Sequence, residues 1–266
     1  MKRLLSWLAL GAIGLTLLAA ATLWFVDTDI GHRLIVDKIA AQTPKSGLRV
    51  KIGRIDGSIY GKAQLRAVRL YDNDGLFFEA PAVDLDWSPL RWVNNQLYID
   101  RLHSKFSTLH KLPKLKAGDK NRPILPGFDI HIGSLSVDTL RIEPKVTGVR
   151  RSGMLTGSAD IIAGRAQVRL NANTNAGDQL ALRLDAEPDR DRFNLDAGVK
   201  APARGVFGAV VGTPRPFDLI IRGNGAWRAW NGTLSASVSG APIADLALTA
   251  NAGQFGVNGQ IGRAHV

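Results

Sequence analysis

The sequence contains no cysteine in its 266 residues. That excludes disulfide frameworks, zinc–thiolate sites and cysteine nucleophiles together. It suits an exported protein that does not rely on disulfides. Histidine is scarce, with five scattered residues. His103 and His110 stand beside a basic stretch without a carboxylate cluster around them, so both read as surface residues. A metal site needs several convergent ligands. No Ser–His–acid order and no carboxylate pair stands out, so an enzyme is not expected. Gly57-Ser58-Ile59-Tyr60-Gly61-Lys62-Ala63 is one residue short of a phosphate loop and has no Ser or Thr after the Lys,. Its glycines read as turns, and no cofactor is expected. Asn231-Gly232-Thr233 fits a glycosylation acceptor but reads as a turn before a strand. Trp227 and Trp230 read as packing residues near a sheet edge. Nowhere is there an amphipathic helix long enough to cover a sheet.

Acid is in deficit. Lys and Arg number 34 against 23 Asp and Glu, a formal charge of +11. Such a balance favours anionic partners, phospholipid headgroups or nucleic acid among them. The basic residues are nevertheless spread over many segments, which simple solubility also explains.

Charge is missing altogether from Leu4 to Val26, 23 residues. As a helix this run would extend about 35 Å, enough for a hydrocarbon core of roughly 30 Å. Lys2 and Arg3 hold its start in the cytoplasm, and Trp24 and Phe25 fall where an interfacial aromatic belt would lie. Ala19-Ala20-Ala21 offers a cleavage site, but the apolar run continues past it. A cleavable core is normally about 7–15 residues, so an uncleaved anchor is expected, with the bulk of the chain outside the cytoplasm. Residues 1–26 are thus the cytoplasmic start and transmembrane signal anchor. Residues 27–46 read as a short amphipathic helix, with Ile30, Leu34, Ile35 and Ile39 at helical spacing, ended by Pro44 and Gly47.

From Leu48 the period is two. In the first β region, 47–103, Val68 and Leu70, then Val83, Leu85 and Trp87, alternate with polar neighbours. Asp72-Asn73-Asp74-Gly75 is a hairpin signal, and Ser88-Pro89-Leu90 breaks a strand. Residues 104–127 have no apolar period and read as a basic loop carrying Lys105, Lys111, Lys114, Lys116, Lys120 and Arg122. Strands resume in 128–266, with a bulge between Val137 and Leu140. The alternation then becomes regular: Val168 and Leu170; Leu180, Leu182 and Leu184; Phe193, Leu195 and Val199; Leu219 and Ile221; Leu234 and Val238; Leu246 and Leu248. Only Gly205 to Val211 looks helical there. The expected fold is mainly β, an antiparallel meander with one apolar and one polar face. A sandwich, a closed barrel or a rolled trough would each dispose of the apolar face, and periodicity does not choose among them.

Particular runs carry a resemblance. These are Gly47-Leu-Arg-Val-Lys-Ile-Gly53, Asp56-Gly57-Ser58, Asp74-Gly75, Ala80-Pro81, Leu85-Asp86-Trp87-Ser88-Pro89-Leu90 and Leu97-Tyr-Ile-Asp-Arg-Leu102. Ile132 to Val137, Ala186 to Phe193 and Gly225 to Gly232 extend it. Together with the anchor they resemble the N-terminal region of the TamB family, the inner-membrane subunit of the translocation and assembly module, with AsmA-like proteins as wider relatives. That family is several times longer and has a characteristic C-terminal domain. The chain stops at Gly262-Arg-Ala-His-Val266, just after a strand, and so reads as a fragment.

The resemblance implies an elongated sheet rolled into a groove across the periplasm, similar to bridge-like lipid transfer proteins. It implies phospholipid passage toward the outer membrane, with Val168, Leu170, Leu180, Leu182, Leu184, Phe193, Leu195, Val199, Leu219, Ile221, Leu234, Val238, Leu246 and Leu248 lining the groove. The implied partners are acyl chains, the inner membrane and a BamA/TamA-like outer-membrane barrel reached through the missing C-terminal part; the anchor topology disfavours nucleic acid. A second implied role is an adaptor for autotransporter and outer-membrane protein assembly, working by strand augmentation.

Overall fold

The computed structural model describes residues 27–41, 47–114, 125–226, 229–251 and 254–261. The segment read as an anchor lies outside them. Among the described residues no helix is long and apolar enough to cross a membrane.

Helix α1 (Asp29–Ala41) comes first, with Thr28 Oγ1 accepting from Gly31 N at 3.4 Å. Strands β1 (Arg49–Lys51) and β2 (Arg54–Gly57) follow as two halves of one broken edge. Both pair with β3 (Lys62–Asp72), β1 against its second half and β2 against its first. The break has a local cause: Ala67 takes φ 50 in the middle of β3, and Gly53 N donates to Arg66 O at 2.8 Å. The β3–β4 hairpin turns where the sequence signals it. Asp72 Oδ1 accepts from Asp74 N at 2.8 Å, and Gly75 takes φ 110,.

Strands β4 (Gly75–Trp87) and β5 (Gln96–Leu109) flank a 3-10 turn at Pro89–Asn94. Then come β6 (Asp129–Ile142), the short helix α2 (Pro144–Thr147), β7 (Arg151–Ile162), β8 (Arg165–Thr174), β9 (Gln179–Glu187) and β10 (Arg192–Ala201). Helix α3 (Val206–Val211) precedes β11 (Phe217–Ala226), β12 (Ala229–Val238), β13 (Ala241–Asn251) and β14 (Gln254–Ile261). All fourteen strands belong to one open sheet whose spatial order follows the chain. The two β regions separated in the sequence are therefore one structure.

Three features differ from the sequence reading. The meander is not antiparallel throughout, because β5 and β6 run parallel, Gln96 opposite Asp129 and Leu109 opposite Ile142. Alternation has the same period in either direction; direction is set by the connection, and residues 110–128 are long enough for a crossover. Second, the strand read as ending near residue 103 continues to Leu109. Its period is masked because Ser104, Ser107 and Thr108 occupy buried positions. Ser104 Oγ donates to Ala82 O at 3.1 Å and receives Ser107 Oγ at 2.9 Å, so these hydroxyls are satisfied without apolar side chains. Lys116, Lys120 and Arg122 of the basic stretch lie outside the described residues. Third, Asn231-Gly232-Thr233 is not a turn but lies within β12.

The bulge expected between Val137 and Leu140 is present, with another between Ile132 and Leu135. The compact hydrophobic packing sits at the first end. Val36, Ile55 and Ala63 form one cluster with Ile35, Ile52, Ile59 and Leu65; Val68, Ala80 and Val83 form a second. Helix α1 thereby covers the apolar face where the sheet begins.

Candidate functional site

Cross-strand partners share a face of a sheet. The register therefore turns the alternations into rows. One row runs Leu85, Leu102, Leu135, Gly157, Leu170, Leu182, Ala197, Ile221, Leu234 and Leu246, each opposite the next. A second runs Trp87, Ile99, Ile132, Ala159, Val168, Leu184, Leu195, Gly223, Gly232 and Leu248 through the same pairings. A third runs Val137, Leu155, Ala172, Leu180, Val199, Leu219, Ala236 and Ala244. Phe193 lies opposite Ala186, and Val238 opposite Phe217. The structure thus brings every residue proposed from sequence to one face. It also adds Leu85, Leu102, Leu135 and Leu155, whose strands carry the same face toward the N-terminus. Ten strands at about 4.8 Å make this strip on the order of 45 Å long.

Beyond α1, nothing among the described residues covers the strip. All the candidate residues on it are half-buried, and none enters the set of buried hydrophobics. In a sandwich or filled barrel, leucines at such positions pack against a second layer and lose nearly all exposure. Among the described residues no second layer does this beyond α1 at the first end. Within one strand the two faces differ: Ile220, on the polar face, is 40% exposed, while Leu219 and Ile221 beside it are half-buried.

A few side chains of this face are buried, Val137 and Ala186 among them, and the largest is Trp230. It lies over Gly223 and Gly232, edge-to-face with Phe193 at 5.5 Å between ring centroids. A Cβ on Gly223 would come within 2.0 Å of its Cζ2, and one on Gly232 within 2.4 Å of its Cη2. The glycines are therefore a bare floor for the indole. Asn231-Gly232-Thr233 stays in the strand for this reason. Trp227 lies outside the described residues.

The opposite face is a field of paired charges. Arg165 donates to both carboxylate oxygens of Asp185, at 2.8 and 2.7 Å, and holds that carboxyl below its usual range. Arg66 Nε donates to Asp56 Oδ2 at 2.9 Å and, with Arg54 beside it, lowers that carboxyl's pKa as well. Gln64 donates to Asp84 at 2.6 Å. His103 keeps some surface exposure, but carboxylates do stand beside it, Asp138 at 3.0 Å and Asp84 at 3.4 Å. The Asp138 hydrogen bond, with Asp84 in support, raises its pKa above the ordinary histidine value. His110 faces Glu79 at 3.7 Å. These carboxylates are far from the histidines in sequence, and only the register reveals them. Exposed pairs of this kind add little stability. They do penalise a one-residue slip, which would turn the charges onto the apolar face.

Gly57 to Ala63 spans the β2–β3 turn between two strands, with no helix following to receive a phosphate. Among the described residues no group of three or more His, Asp or Glu is placed to hold a metal.

Fold and site together define a class: a single open β-sheet, polar on one face, with a continuous apolar strip on the other left uncovered by the described chain. Comparison with protein-family models, with curated proteins and with solved structures gives no match for this chain.

Proposed function

We propose that this chain is a TamB-like, inner-membrane-anchored periplasmic protein whose sheet is rolled into a groove that conducts phospholipid acyl chains toward the outer membrane. The uncovered apolar strip is the observation that carries this reading. Its rows run across the strands, along the long axis of the sheet. Strands twist with a constant hand, and open sheets rarely exceed about ten strands without curling. Curling with the apolar face inward accounts for its lower exposure. An acyl chain of about 16 carbons, at about 0.8 kcal/mol per methylene, costs on the order of 12 kcal/mol to bring into water. A continuous lining removes most of that barrier without a catalytic group or nucleotide.

A photocrosslinker at Leu182 or Leu195 in the full chain should capture phospholipid in membranes. Leu182→Asp or Leu195→Asp should abolish lipid delivery, because a carboxylate in the strip must be desolvated by each passing chain. Undiminished delivery by both variants would overturn the conduit.

The adaptor reading has one observation on its side. Strand β14 pairs only with β13 among the described residues, which leaves an edge for a client strand,. It requires client crosslinks at β14 backbone positions and none that depend on Leu182 or Leu195.

A further inference from the structure

Five strongly exposed large apolar side chains lie on two elements at the N-terminal end of the sheet. On the Pro89–Asn94 turn, Val93 is 86% exposed, Leu90 72% and Trp92 54%. On α1, Ile30 and Leu34 are 61% and 58% exposed, on the face turned away from buried His32 and Val36. Single exposed leucines are ordinary; a cluster of this size marks a contact surface.

The turn is firmly built. Arg91 N donates to Ser88 O at 3.1 Å, and Asn95 N to Trp92 O at 2.9 Å, with Asn95 in the left-handed region at φ 60. Asn95 Nδ2 reaches Gly127 O at 2.8 Å. Trp92 stands edge-on to Phe128 at 5.3 Å, and the Arg91 guanidinium lies 3.9 Å from the Tyr98 ring centroid. The exposed side chains are therefore presented by a braced tip.

Its position names the occupant. Trp87 N, at the start of this connection, donates to Gly61 O at 3.1 Å, which places the tip beside the β2–β3 turn. That same turn holds Asp27, whose carboxylate accepts from Ser58 Oγ and Ile59 N, both at 2.8 Å. Asp27 directly follows Val26, the last residue of the uncharged apolar run. The tip, Leu90-Arg91-Trp92-Val93-Asn94, carries one cation and no acid. Trp at headgroup depth, with Arg reaching the phosphates and aliphatic side chains below, is a membrane-interface composition.

We propose that this corner, the Pro89–Asn94 tip together with Ile30 and Leu34, inserts into the leaflet of the same bilayer that residues 4–26 enter. It seats the first strands on the membrane and sets the start of the apolar strip at lipid level. The proposal rests on the anchored-conduit reading and deepens it.

The absence of cysteine makes the test direct. In proteoliposomes of phosphatidylethanolamine and phosphatidylglycerol containing the full chain, a nitroxide on Val93→Cys is compared with one on Asn173→Cys, exposed on the polar face of β8. The ratio of collisions with oxygen to collisions with an aqueous nickel chelate should be severalfold higher at 93 than at 173. Equal ratios overturn the proposal. So does a ratio at 93 that rises with protein density, since another copy then covers the corner. Crosslinking at Leu182 scores the conduit separately. Lipid captured there with an aqueous label at 93 sinks the docking alone; a lipid-immersed label at 93 with no lipid at 182 sinks the conduit alone.

Discussion

Asp72 has no exposed surface, yet its surroundings keep it ionised. Lys111 Nζ lies 2.7 Å from Oδ1, Lys114 N donates to Oδ2 at 2.8 Å, and Asp74 N completes the set at 2.8 Å. The Lys111 hydrogen bond, with the two amides, outweighs burial and lowers the pKa from 3.8 to about 2. One carboxylate thus ties the β3–β4 hairpin to the segment leaving β5. A depressed pKa contributes stability that is full above the unfolded value and fades as pH falls through the folded one. Asp72→Asn should therefore lower Tm at neutral pH, with the gap to wild type closing between about pH 4 and about pH 2 in a series of thermal melts. A gap independent of pH would show that shape, not charge, matters here. Sequence reading found the turn at Asp72 because Asp-Asn-Asp-Gly is local chemistry. It missed the partners, 39 and 42 positions away, because nothing in a lysine's neighbourhood says which carboxylate it will meet. Gly223 and Gly232 were equally opaque: a glycine that serves as a floor for Trp230 looks the same in sequence as one that makes a turn.

At the scale of elements, the regular strands were legible and the irregular ones were not. Leu180, Leu182 and Leu184 declare their face by period alone, and every candidate lining residue fell on it. Strand β7 did not announce itself, because Gly153 and Gly157 stand at positions where neighbouring strands carry Leu140, Leu135 and Leu170. The parallel join of β5 to β6 was hidden for a different reason, since strand direction leaves no trace in alternation. His103, on β5, reaches Asp84 on β4 and Asp138 on β6, and so laces three strands across that join. Its pKa is raised, so its contribution is fully present below the unfolded value near 6.5 and is lost as pH rises through the folded one,. His103→Gln should lower Tm most on the acid side of that window and least on the alkaline side. The reverse order in melts across this range would rule out the ionised bridge.

For the whole molecule the central property is continuity. Three rows cross the sheet without an interposed charge, although they are assembled from strands far apart in sequence. A pocket fails locally when one wall residue is changed; a path fails everywhere downstream. With a lipid donor at the N-terminal end, Leu182→Asp on β9 should leave lipid crosslinking at Leu170 on β8 intact and remove it at Leu246 on β13. Loss confined to the substituted strand would mean that lipids enter sideways along the open face rather than travelling along it.

The lone parallel junction also bears on how such a sheet is made. The consecutive antiparallel strands are joined by eight residues or fewer, so each can zip onto the one before it, except β10 and β11, whose connection of residues 202–216 is partly taken up by helix α3. Joining β5 to β6 requires closing the loop of residues 110–128 before any of its ladder bonds form, an entropic cost the hairpins do not meet. The β5–β6 join, with the longest connection and no hairpin to template it, should therefore be the slowest step. The β6–β14 block would then await docking onto a β1–β5 block already nucleated around Val68, Ala80 and Val83.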